Sequence, residues 1–246
     1  PSWSRADANR AAPLPSGPIP GPSAWYGASL RDAPGRWIFE LDPLERDEIA
    51  AATDAFERRG DALGGISPLS FPVPRLADRL RWLLNDQLLA GPGFAVLRGL
   101  SLAGLTLEQA AIAYLGVGAH LGSFRSQNAK GHLLGHVRDL GLDIRDPTTR
   151  YYQTTRQLDY HTDSCDIVGL LCLRTSKAGG ASRVVSSVTL YNEILARRPD
   201  LLPELFHPFP TDRRGEVPPG LLPWFDIPVF NWHGGLLTTI YSGQYI

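Results

Sequence analysis

Leucines at positions 76, 80, 83, 84 and 88 recur with the period of a helix that keeps one face apolar, while Arg75, Asp78, Arg79 and Asp86 fall on the other side. Pro72 and Pro74 precede this run and Gly91-Pro92-Gly93 closes it. Earlier, Asp42-Pro43-Leu44-Glu45 combines an acid cap, proline at the first helical position and Glu three residues after the cap. That pattern predicts a helix to about Arg59, stopped by Gly60. Thr106-Leu107-Glu108-Gln109 is a second capping box, opening a helix toward Gly116, and residues 94–99 between them read as a short strand.

From about residue 133 the pattern changes to short apolar runs bounded by turn residues, which predicts strands over 133–138, 151–155, 160–173 and 182–187. Ser187 then caps a helix through Leu190, Tyr191, Ile194 and Leu195 that ends at Arg197-Arg198 and Pro199. Residues 208–228, rich in proline and charge and including Asp212-Arg213-Arg214-Gly215-Glu216, read as a long loop. A hairpin follows around His233-Gly234-Gly235, with arms at 228–232 and 236–241. Helices first and strands afterwards predict an α+β, mainly β architecture: an antiparallel sandwich or barrel behind an N-terminal helical layer. Residues 1–36, with seven prolines and four glycines, read as an extended arm that Trp25, Tyr26 and Trp37 can pin to the body.

A chain of 246 residues can bury its core as one large domain, here residues 37–246. A net charge of −1 and a pI of about 6.7 argue against a nucleic-acid or membrane-surface binder, which needs a basic stripe. The longest apolar run, 167–173, is too short to span a membrane, and no secretory apolar segment precedes it, so the chain reads as soluble and cytoplasmic. Cys165 and Cys172 do not form a disulfide framework and read as reduced core or near-site thiols.

The chemistry centres on His161-x-Asp163, where a polar strand start enters the apolar run. On a strand, residues two apart share a face with Cα atoms roughly 6.5 to 7 Å apart. An imidazole and a carboxylate can then converge on one ion while Thr162 faces away. Such a pair is two thirds of the 2-His-1-carboxylate set that holds non-haem Fe(II). The bland alternative is an Asp–His hydrogen bond at a strand end.

The segment His161-Thr162-Asp163-Ser164, the apolar run after it, and Lys177-Ala178-Gly179-Gly180-Ala181-Ser182 resemble the TauD/TfdA-like family of Fe(II)/2-oxoglutarate-dependent dioxygenases. The resemblance covers about residues 94–246 and is strongest over 151–187. It implies a double-stranded β-helix, or jelly-roll, core. It also implies Fe(II), 2-oxoglutarate as co-substrate, and molecular oxygen and a small organic molecule as reaction partners, with succinate and CO2 released as the substrate is hydroxylated. His161 and Asp163 match the first two iron ligands. Ser182, second after the Gly-Gly pair, matches a residue whose hydroxyl bonds a carboxylate of 2-oxoglutarate. Gln157, four residues before the metal histidine, matches a side-chain amide that touches substrate. The carboxylate at Asp163 points to hydroxylation rather than halogenation, in which a small residue leaves room for chloride.

The same resemblance requires a distal histidine and, ten or more residues beyond it, an arginine paired with the far carboxylate of 2-oxoglutarate. His207 lies in the proline-broken Phe206-His207-Pro208-Phe209-Pro210, with Arg213 and Arg214 following too soon, and His233 lies at a hairpin turn with no arginine after it. The expectation is a chain cut at both ends, from Pro1-Ser2-Trp3 to Gln244-Tyr245-Ile246, lacking the C-terminal strands of the core and inactive alone. His120 at a helix end reads as structural, while His132 and His136 can share a strand face toward a pocket. Tyr151, Tyr152 and Tyr160, with Gln127 and Asn128, are candidate pocket walls and anchors. Two other readings stay open: a non-catalytic jelly-roll binding protein that retains part of the motif, and a Zn(II) hydrolase using the same pair.

Overall fold

In the computed structural model, which describes residues 14–128, 131–143, 145, 149, 151–213 and 217–243, the chain divides into two compact units. A helical unit comprises Gly21–Gly135 and Ile167–Ser186; a hairpin unit comprises Pro1–Pro20, His136–Asp166 and Ser187–Ile246. Residues 1–13 of the predicted arm, Arg214, and the closing Gln244-Tyr245-Ile246 lie outside the described residues.

In the helical unit, α1 (Gly27–Arg31) leads to β1 (Ile38–Glu40) and then to α2 (Pro43–Arg59). Helix α2 starts at the predicted capping box. The Asp42 carboxylate accepts the Glu45 N–H at 2.9 Å, and the Glu45 carboxylate accepts the Asp42 N–H at 2.9 Å. Gly60 ends the helix with φ of 66°. Ile49, Ala52 and Phe56 face the core, joined by the buried Glu45, whose charge is met by Arg79 at 2.9 Å. Glu48 accepts the N–H groups of Arg75 and Leu76, each at 3.0 Å, so a side chain of α2 caps the start of α3 (Pro74–Trp82). Trp25, predicted to pin the arm, donates to the Pro92 carbonyl at 2.7 Å, and Trp37 donates to that of Leu30 at 2.9 Å.

Helix α3 buries Leu76 and Leu80 as expected, but then continues as a π-helix (Leu83–Leu89). The wider turn moves the apolar stripe out of register. Leu84 and Leu88 are only half-buried, while Gln87 turns inward and donates to the carbonyls of Arg36 at 2.8 Å and Phe94 at 2.9 Å. Strand β2 (Val96–Arg98) pairs parallel with β1, Ile38 opposite Val96. Helix α4 (Leu107–Ala119) opens on the second capping box and packs Ile112, Ala113 and Leu115 against α2 and Phe71.

The hairpin unit is built on α5 (Ser187–Arg197), which starts where the sequence places it. Tyr191, Phe206 and Phe230 meet with ring centroids 5.7 to 6.3 Å apart, the centre of a second core. The Asn192 amide clamps Ile19, donating to its carbonyl at 2.9 Å and accepting its N–H at 2.8 Å, which docks the described end of the arm on α5. The predicted hairpin is present as β5 (Phe230–His233) and β6 (Leu236–Thr239), turning at Gly234-Gly235. The predicted loop over 208–228 instead carries an antiparallel pair, β3 (Phe209–Asp212) with β4 (Trp224–Ile227). Pro210 fits there because β3 is paired along one side only, leaving an edge where no N–H is required.

The described residues therefore form an α+β arrangement with three two-stranded sheets and no closed barrel. Four predicted strands are absent. Residues 133–138 and 182–186 are irregular, Tyr151–Gln153 is a single 3-10 turn, and 160–173 shows only an isolated bridge at His161. A strand exists only with a partner, and these segments find none among the described residues. The apolar run accordingly stays open, with Val168, Leu170 and Leu173 exposed by 53, 73 and 46%. Cys165 and Cys172 are exposed as well, so they are not core thiols. No described helix is long and apolar enough to cross a membrane.

One pH dependence follows from the α2 cap. The Arg75 guanidinium, 2.7 Å from Asp42, and then the Glu45 N–H hold the Asp42 carboxyl below the usual carboxylate range. A lowered folded-state value means that its contribution is complete above the unfolded value, about 3.9, and is lost as pH falls through the folded value. Asp42→Asn keeps an N-cap acceptor but loses the ion pair. Urea midpoints are expected to separate parent and variant at pH 7 and to converge as the pH falls through the lowered folded-state value of Asp42.

Candidate functional site

His161 and Asp163 lie in the hairpin unit and are brought together, with Nε2 of His161 3.8 Å from Oδ1 of Asp163. The predicted strand parity is not what places them, since no ladder runs through 160–173. Their backbone is held by one short crossing. Thr162 donates its N–H to the Tyr241 carbonyl at 2.8 Å, its hydroxyl accepts the Tyr241 N–H at 2.8 Å, and His161 bridges Ser242.

The ring of His161 is fixed by the Asp159 carbonyl, 2.8 Å from Nδ1. A carbonyl can only accept, so Nδ1 carries a proton, and in the neutral ring Nε2, 3.8 Å from Asp163, is the nitrogen left to bind a metal. That is the tautomer a metal-binding imidazole uses, with the second nitrogen bonded to the protein. Both side chains are open to solvent, by 38 and 54%. A separation of 3.8 Å is shorter than two bonds of about 2.0 to 2.2 Å, so a first-row divalent ion can reach both atoms. An imidazole and a carboxylate suit iron, zinc or manganese. The pair thus fits a metal as two ligands of a set.

The described residues do not complete that set, for no group of three His, Cys, Asp or Glu among them is placed to hold an ion. His207 follows a 3-10 turn and its Nδ1 lies 3.2 Å from Glu204, while His233 ends β5. Ser182 belongs to the helical unit, and Gln157 to the hairpin unit; each is exposed on an irregular segment. Tyr151 is covered by the Arg156 guanidinium, 4.9 Å from the ring centre, and Tyr160 is exposed. His120 bonds the Phe71 carbonyl through Nε2 at 2.9 Å, a structural role as expected. His132 meets Asn128 at 3.0 Å within its own turn. A shallow cavity of about 410 Å³ between Arg36, Phe39, Trp82 and Asp86 lies in the helical unit and includes none of the predicted site residues.

Residues 56–244, from within α2 to beyond Tyr241, match the family described as taurine catabolism dioxygenase TauD, TfdA family. The chain belongs to the TauD/TfdA family. The match takes in all four residues carried over by motif, His161, Asp163, Ser182 and Gln157. Two curated relatives are similar to this TauD/TfdA chain. FR-33289 synthase of Streptomyces rubellomurinus is 35% identical over 225 residues, 91% of this chain and 66% of the relative. Taurine hydroxylase-like protein SAT17 of Stachybotrys chartarum is 30% identical over 189 residues, 74% of this chain and 49% of the relative. The TauD/TfdA chain thus spans about two thirds of the length of the first relative and about half of the second.

Thr162 and Tyr241 were not found as site residues from the sequence. A threonine between two candidate ligands carries no signal of its own contact, and a partner 79 residues away leaves none in local spacing.

Proposed function

We propose that the whole gene product is an Fe(II)- and 2-oxoglutarate-dependent oxygenase that hydroxylates a small organic molecule, releasing succinate and CO2. The observation that carries this reading is the His161–Asp163 pair in a TauD/TfdA chain, with Nε2 of the ring 3.8 Å from the carboxylate and Nδ1 held by the Asp159 carbonyl. Of the two relatives, the one whose printed name is hydroxylase-like agrees with an oxidative role.

Bound iron supplies the oxidising chemistry that amino-acid side chains lack. The protein's part is to hold and to orient. His161 and Asp163 provide one neutral and one anionic donor. By the motif, the Ser182 hydroxyl would donate to a carboxylate of 2-oxoglutarate and the Gln157 amide would contact the substrate. The third ligand and the carboxylate-binding arginine are assigned to no residue of this chain, and turnover is proposed for the full-length protein rather than for these 246 residues. The domain begins at residue 37, and β3 to β6 are taken as part of a jelly-roll core. The proposed location is the cytoplasm, and the proposed reaction partners are a small molecule and oxygen.

The test is succinate release from 2-oxoglutarate by the full-length protein with Fe(II), over a panel of acids, amines and sulfonates. Release that requires both iron and oxygen supports the proposal. Iron bound at the pair with no succinate formed across the panel would establish the non-catalytic binding reading instead.

A further inference from the structure

We infer that Thr162 is a positioning residue for the metal pair, acting through Tyr241; this rests on the proposal that His161 and Asp163 hold a metal. The reasoning starts from how little else fixes the two ligands. Both are solvent-exposed, neither lies in a helix or ladder, and an exposed side chain on irregular backbone samples several rotamers. His161 has its ring held by Asp159 at 2.8 Å. Among the described residues no comparable bond holds Asp163, so its approach to Nε2 depends on the backbone between the two.

That backbone is Thr162. Its N–H donates to the Tyr241 carbonyl at 2.8 Å, and its hydroxyl accepts the Tyr241 N–H at 2.8 Å while lying 3.4 Å from the same carbonyl. One residue thus satisfies both main-chain groups of Tyr241. The segment it grips is itself anchored, because the neighbouring Ile240 donates to the Val229 carbonyl at 3.0 Å and β6 packs on α5. The chain of contacts runs from the core of the hairpin unit through Tyr241 to Thr162, and the two ligands sit on either side of that pin.

The hydroxyl is the part that can be removed selectively. Thr162→Val keeps shape, β-branching and the main-chain N–H bond, but leaves the Tyr241 N–H without its acceptor. Thr162→Ser restores the acceptor and removes only a methyl group. Bonds one step removed from a ligand typically change metal affinity by tenfold to a hundredfold.

The experiment is Co(II) titration of the full-length protein followed by calorimetry and by the visible ligand-field spectrum, for the parent, Thr162→Val, Thr162→Ser and His161→Ala. The expected result is saturable binding by the parent, a loss of about tenfold with an altered band shape in Thr162→Val, recovery to within about twofold in Thr162→Ser, and no saturable binding in His161→Ala. Circular dichroism and the urea midpoint accompany each variant. Parent-like affinity and spectrum in Thr162→Val overturn the positioning role alone, as does a failure of serine to rescue. Absence of saturable binding in the parent, or full binding in His161→Ala, overturns the metal assignment and the positioning role with it.

Discussion

His161→Ala in the full-length protein is expected to lower divalent-metal affinity by about a hundredfold or more and to remove iron-dependent turnover, with the fold intact. The imidazole is the one neutral nitrogen donor at the pair, with Nδ1 tied to the Asp159 carbonyl and Nε2 directed to the carboxylate 3.8 Å away. Removing it leaves the exposed Asp163 carboxylate and at most the one ligand not assigned in this chain, a set that binds Fe(II) weakly in competition with water. The residue is exposed and lies outside both cores, so its loss is expected to change stability by no more than about 0.5 kcal/mol. Calorimetric titration beside a urea melt separates the two effects. A parent-like metal affinity in this variant would contradict the assignment of His161.

Gly116→Ala is expected to have the largest effect on stability. A methyl group at this position on α4 would lie 2.5 Å from Cδ1, Cδ2 and Cε1 of Phe71, a ring with no exposure to solvent. Alanine is the better helix former by about 1 kcal/mol, so propensity alone predicts a gain. Overpacking a filled core costs about 1 to 3 kcal/mol and occasionally more. Phe71 is hemmed in by the cluster around Phe56, Leu76 and Leu115, and a three-atom overlap with a fixed ring lies at the costly end. A net destabilisation of about 2 kcal/mol is therefore expected. Gly118→Ala is the control: its methyl group would meet a single atom, Cε1 of Phe124, at 3.3 Å. Urea unfolding of both is expected to show a clear loss for position 116 and at most a small change for position 118. Equal midpoints would contradict the packing account.

How much of this could be read from the sequence follows from the range of the forces involved. Both capping boxes, Asp42 with Glu45 and Thr106 with Gln109, were legible because the cap, its partner and the helix lie within four residues. The start of α5 and the Gly234-Gly235 hairpin were legible for the same reason. The run 160–173 was not, because an apolar stretch encodes that it should be covered and says nothing of the partner strand. Val168 and Leu170 are exposed where the pattern predicted burial. The reverse error occurred at Pro210, where proline suggested a loop although a one-sided strand tolerates it. Leu84 and Leu88 were expected on the buried face but are half-buried, because the wider π-helical turns shift the phase and a leucine period cannot report it.

The candidate site divides along the same line. His161 and Asp163 were found as a pair, yet for a geometric reason that the structure replaces: a pin from Tyr241 holds them, not a ladder. The pin joins residues 79 apart in sequence and has no local signature. Membership of the TauD/TfdA family agrees with the motif that suggested it.

The central claim is that the full-length protein uses His161 and Asp163 to hold the iron of a 2-oxoglutarate-dependent dioxygenase. The most direct measurement is mass spectrometry of succinate formed from 2-oxoglutarate under isotopically heavy oxygen gas, for the parent and for His161→Ala. The account predicts that succinate from the parent carries a heavy oxygen atom and that the variant forms none. Succinate without heavy oxygen, or labelled succinate formed equally by His161→Ala, would contradict it.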